Sequence, residues 1–406
     1  MANFFQLYGL MFITSLSVTL ILTLPVSKLA YKLDIVDQPG LHKTHNGIKP
    51  LLGGLAIFLG ISFAMLIYST SSTLLITLFI SMLILLITGL IDDIYNLKPL
   101  QKLAGQTAAA AVIVLFNLSN YYIFFELSKR YFMPDILVPV LIIGWIVLMI
   151  NAFNLIDGID GLAAGTATII FIAMAVITLM NNGSTSILAL QVICVGACVG
   201  FLFFNFNPAR IFMGDTGSML LGFLLATTFL LSLNSTLNGS LVLGSVFIFA
   251  YPALDVTFAI IRRLRNRTSI FAADRGHIHH VLMSLGFSIR KTVIIIYMVS
   301  ILFAIMAVAL LSMKLGTAVI ISIGLITFAF TLTLFRYLTI ISHRNGLHLH
   351  SKASLTQGKV GEVYNRDEGI SVAPRIKEVP NATGQLVQKE QPTLPVIKSR
   401  HLIKLR

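Results

Sequence analysis

The chain has 406 residues, of which 56% are hydrophobic and only 11% charged, with a mean hydropathy of +0.90. Soluble domains carry about 25% charged residues, so a soluble fold is excluded. The formal charge of +13 is what basic loops on one side of a membrane produce, and it does not call for a nucleic-acid partner.

Apolar stretches of roughly 18 or more residues, each able to cross a hydrocarbon core of about 30 Å, recur from Phe4 to Tyr337. They are uninterrupted rather than alternating, which excludes a β-barrel and leaves helices that satisfy their own backbone. The fold class expected is an all-α polytopic membrane protein, a bundle of about 11 transmembrane helices with a cytoplasmic-face cleft. The spans fall near 5–27, 51–68, 73–91, 103–118, 135–152, 162–180, 187–204, 218–233, 241–261, 292–312 and 317–338. Met1 to Asn3 carry no basic segment, so the first span is expected to be retained rather than cleaved as a signal peptide. Cys194 and Cys198 stand one helical turn apart inside a span, where packing is their expected role.

Lys28, Lys32, Lys43 and Lys49 after the first span, and the arginines from Arg262 to Arg290 after the ninth, mark these loops as cytoplasmic. Eleven spans then place the N-terminus outside and the C-terminus inside. Of the 19 Lys and Arg up to residue 344, only Lys129, Arg130 and Lys314 fall outside. Acidic residues contribute little to topology, yet nine of the eleven in this region fall on the inner side, and all nine are Asp. That clustering points to chemistry on the inner face. Residues 1–344 are read as an integral membrane domain and 345–406 as a polar cytoplasmic tail expected to be disordered.

Five constellations on the inner side carry chemistry. Lys49-Pro50 and Gly53-Gly54 bring a cation and a close backbone approach to the start of the second span. Asp92-Asp93 ends the third span; adjacent carboxylates at a membrane surface are best retained where a divalent cation neutralises them. In NAFNLIDGIDG, residues 151 to 161, Asn151, Asn154 and Asp157 recur every three residues near one helical face, with Asp160 beyond, making a polar pocket able to read a base or sugar. In FNPARIFMGDTGS, residues 206 to 218, Asp215 offers a hard oxygen ligand, Phe212 an aromatic face for a base, and Thr216 and Ser218 are candidate helix caps. In DRGHIHH, residues 274 to 280, Arg275 with His277, His279 and His280 suits a phosphate better than zinc, since no Cys is near. Asp255, seven residues before Arg262, is expected to pair with it along one helix. Carboxylates, amides, an aromatic and Lys, Arg and His together form the inventory of a magnesium-dependent nucleotide-phosphate site.

In this order and at these spacings, LDIVDQPGLHKTHNGIKPLLGG, Asp92-Asp93, NAFNLIDGIDG, FNPARIFMGDTGS and DRGHIHH resemble the polyprenyl-phosphate N-acetylhexosamine-1-phosphate transferases, in their WecA and TagO branch, related to MraY. The resemblance covers about residues 1 to 340. It implies transfer of a sugar 1-phosphate from a UDP-N-acetylhexosamine to undecaprenyl phosphate with release of UMP, at the bacterial cytoplasmic membrane, with Mg2+ as cofactor and Mn2+ as a substitute. It further implies Asp215 and Asp92 at the metal, and Asp92, Asp93, Asp157 and Asp160 in the catalytic set. Asn151, Asn154, Asn205, Phe212, Lys49, Arg275, His277, His279 and His280 would hold nucleotide, sugar and phosphate. Where many relatives have a Lys, this chain has Leu100 flanked by Lys98 and Lys102, so either lysine is a candidate for phosphate. The Asp-Arg-Gly-His-Ile-His-His form favours UDP-N-acetylglucosamine over the muramoyl-pentapeptide donor of MraY, and a homodimer is implied by resemblance alone. A transporter or flippase is the competing class, but it would place its charges near the bilayer midplane rather than at one surface.

Overall fold

The structure is a computed structural model that describes residues 2–38, 47–68, 72–130, 132–233, 247–265, 267, 276–312, 319, 376–380 and 386–390. Residues Met1–His348 form one unit. In it α1 (Ala2–Lys32) leads through two-residue strands β1 (Val36–Asp37) and β2 (Lys49–Pro50), antiparallel to each other, into α2 (Gly53–Tyr68). Then follow α3 (Thr73–Tyr95), α4 (Pro99–Leu115), a short α5 (Tyr122–Arg130), α6 (Leu137–Ile156), α7 (Leu162–Met180), α8 (Thr185–Asn205) and α9 (Gly214–Ser232). Beyond it come α10 (Ala250–Arg265), α11 (Ile278–Ser284) and α12 (Ile289–Ser312).

Among the described residues, seven helices are long and apolar enough to cross a membrane, and α2 is a shorter apolar helix. The protein is an all-α polytopic membrane protein. The expected span at 103–118 is a helix that begins at Pro99, where proline's fixed φ suits a first turn. No pattern of residues pointed to α5. The expected span at 317–338 lies outside the described residues, as do the first six residues of the one at 241–261. The second unit is Leu349–Arg406, within which β3 (Ile376–Pro380) pairs antiparallel with β4 (Leu386–Glu390).

The core is built around α9, whose residues from Thr216 to Leu231 are all buried. A helix apolar on every side has no face to offer solvent, so it is enclosed; α2, α3, α6, α7 and α8 all pack on it. Small residues let backbones close up where lipid gives no hydrophobic drive between helices. At the crossing of α2 and α9, a Cβ on Gly54 would stand 2.2 Å from the amide nitrogen of Gly217, so no larger residue fits there. Because successive helices alternate in direction, one end of the bundle collects the C-termini of α1, α3, α6 and α8 with the N-termini of α2, α4, α7 and α9. The polar motifs of the sequence sit at these ends.

Candidate active site

A cavity of about 370 Å³ opens where these ends meet. Six aspartates line it: Asp37, Asp92, Asp93, Asp157, Asp160 and Asp215. Asn96, Asn154, Asn205, Phe212 and His280 join them. Asp37 and Asn96 were not singled out in the sequence. Asp37 sits on β1 opposite Lys49 of β2, and Asn96 ends α3 in a left-handed conformation (φ 51°) that amide side chains tolerate.

The adjacent Asp92 and Asp93 do different work. Asp92 is 5% exposed; its Oδ1 accepts the Leu97 N–H at 2.8 Å and its Oδ2 lies 2.7 Å from the Lys102 ammonium. Asp93 turns to the start of α9. It accepts from the backbone N–H groups of Asp215 at 2.7 Å and Thr216 at 3.3 Å, and from the Thr216 hydroxyl at 2.9 Å. Thr216 and Ser218, expected to cap this helix, lie inside it, because the helix begins at Gly214; its orphan N–H groups are satisfied from α3 instead. Gly214 adopts φ 69°, and a Cβ there would stand 2.6 Å from an Asp93 carboxylate oxygen, so the cap requires glycine on both counts.

Lys102 is the central cation. Its ammonium is 2.9 Å from Asp215 and 3.2 Å from the Asn154 Oδ1, in addition to its Asp92 contact. Asn154 donates to Asp215 and, at 3.0 Å, to the Ser218 hydroxyl. One turn further along α4, Gln106 and Asn151 exchange amide hydrogen bonds, and the Asn151 amide is 2.7 Å from the Gln106 Oε1. Lys102 with Asn154 and Gln106 with Asn151 therefore form two rungs between α4 and α6. Asn151 is spent on this strut and on the Val147 carbonyl, outside the cavity lining. Lys98 is exposed at the start of α4, so of the two flanking lysines Lys102 is the one at the acids.

Two of the predicted residues hold loops together. Asn205 accepts the Gly161 N–H at 3.1 Å and donates to the Ile211 carbonyl at 2.9 Å, joining two motif loops. Asp160 accepts from the Asn207 amide at 2.8 Å and the Ala209 N–H at 2.9 Å. Lys49 donates to the Ala209 carbonyl at 2.6 Å and is outside the cavity lining. Phe212 lines the cavity half-buried, its backbone N–H donating to the Pro50 carbonyl at 2.9 Å. Asp157, just past α6, has no hydrogen-bond or ion-pair partner among the described residues. Burial, then the charges of Asp215, Asp93 and Asp160, push its carboxyl well above the ordinary range.

The histidine motif divides. His280 lines the cavity, whereas His277 and His279 are buried behind it; Arg275 lies outside the described residues. Asp255 does not spend its carboxylate on Arg262 as expected. It reaches across to His277 and the Ile278 N–H, which are 22 and 23 residues away and invisible to helical periodicity.

Among the described residues the donor set is hard oxygen with one ammonium, and Asp157 is a carboxylate without a counter-charge among other carboxylates. That environment fits a divalent cation. Among the described residues no three Asp, Glu, His or Cys side chains form a ready-made metal cluster. Magnesium needs none, since it commonly takes one or two carboxylates and completes its shell with water and substrate phosphate.

Fold and cavity together define a class, a helical polytopic membrane protein with an acidic, phosphate-compatible site at one end of its bundle. Residues 74–233 match the model of glycosyl transferase family 4. A probable undecaprenyl-phosphate N-acetylglucosaminyl 1-phosphate transferase of Bacillus subtilis is 39% identical over 321 residues, covering 78% of this chain and 88% of that protein. A decaprenyl-phosphate N-acetylglucosaminephosphotransferase of Mycobacterium tuberculosis is 34% identical over 318 residues, covering 70% and 78%. The undecaprenyl-phosphate alpha-N-acetylglucosaminyl 1-phosphate transferase of Escherichia coli K12 is 30% identical over 287 residues, covering 68% and 77%. The chain belongs to this family, the polyprenyl-phosphate N-acetylhexosamine-1-phosphate transferases of the WecA and TagO type.

Proposed function

We propose that the protein transfers N-acetylglucosamine 1-phosphate from UDP-N-acetylglucosamine to undecaprenyl phosphate at the bacterial cytoplasmic membrane, its N-terminus outside and its site facing the cytoplasm. A phosphate oxygen of the acceptor bonds to the β-phosphorus of the donor, the bond from that phosphorus to the bridging oxygen breaks, and UMP leaves carrying the bridging oxygen on its α-phosphate. The lipid-linked sugar pyrophosphate would begin a surface polysaccharide. The observation that carries this reading is a cavity lined by Asp92, Asp215 and Asp157, in which the first two are bridged by Lys102 and Asp157 has no partner among the described residues.

Two anionic phosphates must approach each other, so positive charge has to be held where they meet. Asp157, with Asp215 or Asp92 as a second carboxylate, would hold Mg2+, with Mn2+ as a substitute and water and substrate phosphate completing the shell; the ion would supply charge neutralisation at the phosphates. Lys102, anchored by two carboxylates and the Asn154 amide, holds a second positive charge at a fixed place. Phe212 offers its half-buried ring to uracil, and Asn154 offers an amide to the donor. Asp93, Asp160 and Asn205 act behind these groups, fixing the start of α9 and the loops around it.

The test is UMP release by the purified protein in lipid nanodiscs, from UDP-N-acetylglucosamine with undecaprenyl phosphate and Mg2+. UMP matched by lipid-linked product only with all components supports the reading, and loss of turnover in EDTA with recovery in Mg2+ or Mn2+ supports the metal. Turnover with the muramoyl-pentapeptide donor instead would change the substrate. Silence with every UDP-acetamido sugar would overturn the transferase reading.

A further inference from the structure

Asp255 is a fully buried carboxylate on α10, and a charge held in a membrane protein's interior is costly unless something uses it. Its two oxygens are divided between two tasks. Oδ1 accepts the Ile278 backbone N–H at 2.8 Å, at the first turn of α11, where the residue before the helix, His277, offers no side-chain cap. Oδ2 accepts from His277 Nδ1 at 2.8 Å, which fixes the ring's orientation and its proton.

From His277 a column of rings runs towards the cavity. The His277 and His279 rings are nearly parallel, 11° apart with centroids at 5.8 Å, and those of His279 and His280 are 4.3 Å apart. His279 is 1% exposed, and neither ring nitrogen has a partner among the described residues. Its Nε2 would stand 2.6 Å from a Cβ on Gly158, so the ring fills the space that glycine leaves beside Asp157. His279 is thus a spacer wedged between His277 and the α6–α7 loop, and His280 is the member that reaches the cavity lining.

We propose that Asp255 is a positioning residue: through His277 and His279 it sets His280 against the cavity wall beside Asp157 and Gly158, and so governs binding of the nucleotide-sugar donor. The proposal rests on the functional reading above, since the donor is taken from it. Asp255→Asn keeps an oxygen for the Ile278 N–H but turns an amide N–H towards His277 Nδ1, moving the ring proton to Nε2 while preserving shape. Asp255→Ala removes both bonds.

The experiment uses the full chain in nanodiscs. A misplacement of this kind is expected to raise KM for UDP-N-acetylglucosamine by roughly 10-fold in both variants, with KM for undecaprenyl phosphate unchanged. His277→Asn should raise it by a similar factor. The pair with Asp255→Asn should do no worse than about 10-fold, where independent sites would multiply to about 100-fold. A merely structural role would instead lower kcat and the unfolding temperature and leave both KM values alone. Ring nitrogen NMR of labelled histidines reads the geometry without substrate: Asp255→Asn should move the His280 signals, assigned by their absence in His280→Gln. Unmoved His280 signals overturn the positioning role whatever the substrate. Moved signals in a protein whose wild type releases no UMP overturn the donor assignment alone.

Discussion

Asp93→Ala separates a helix cap from a group that acts on substrate. The substitution removes three hydrogen bonds at the start of α9, from the Asp215 N–H, the Thr216 N–H and the Thr216 hydroxyl. Losing a cap costs about 0.5–2 kcal/mol, and losing a negative charge at a partly buried helix N-terminus adds up to about 2 kcal/mol. The space vacated against Gly214 gives water a route to the orphan N–H groups, so we take about 2–3 kcal/mol for the sum. Asp93→Asn keeps one acceptor in the same shape and should lose roughly half of that. Thermal unfolding in nanodiscs, followed by the fluorescence of the single Trp145, should rank wild type above Asp93→Asn above Asp93→Ala. Turnover should fall in the same order, because Asp215 is carried on the turn that Asp93 holds. If Asp93→Ala unfolds at the wild-type temperature while losing all UMP release, the capping argument is refuted and Asp93 acts directly on substrate.

Four further outcomes follow from the same contacts. Lys102→Met strands the buried Asp92 carboxylate; allowing for the partial exposure of Lys102 and Asp215, it should cost about 2–3 kcal/mol in the unfolding assay and abolish turnover, whereas Lys98→Met should change neither. Asp157→Asn should abolish UMP release yet unfold at or above the wild-type temperature in EDTA, because it removes a carboxylate crowded by three others and without a partner among the described residues. The raised carboxyl of Asp157 binds its proton more tightly when folded, so its contribution is full below about pH 4 and is lost as pH rises; the gain of Asp157→Asn should accordingly grow towards alkaline pH. His279 carries the opposite sign: burial, aided by His280 and His277, lowers it to about 3, so the wild type loses stability as pH falls below about 6.5, and His279→Gln should gain on it between pH 7 and pH 4.5. Gln106→Leu removes the Gln106 partner of the Asn151 amide, leaving it the Val147 carbonyl alone, and should lower stability by about 1–3 kcal/mol, with a shift in the pH profile of turnover if the lower rung sets the Lys102 rung above it.

Most of the architecture was legible because membrane spans announce themselves by length and apolarity alone, with no long-range contact needed. Short α5 escaped for the same reason, since nine residues ending in Lys129 and Arg130 carry no span signal. At the site, the sequence named five of the six acids that meet in the cavity, Asp37 being the one missed, because clustered Asp residues at span ends are costly and therefore conspicuous. It could not divide their labour. Asp92 and Asp93 are neighbours in the chain, yet one pairs with Lys102 on α4 and the other caps α9, 122 residues away.

Spacing misled where a nearer partner existed in the chain than in space. Arg262 shares a helix with Asp255, but the carboxylate goes to His277 on a separate element. Asn151 and Asn154 follow one helical face, yet a single turn of α4 assigns them to different partners, Gln106 for the first and Lys102 for the second. In each case the deciding quantity is which helix end arrives next to which, and glycine contacts such as Gly54 on Gly217 set that arrival. The chemistry-bearing residues can be recognised one motif at a time, but their roles are fixed only by how closely the helices that carry them can approach.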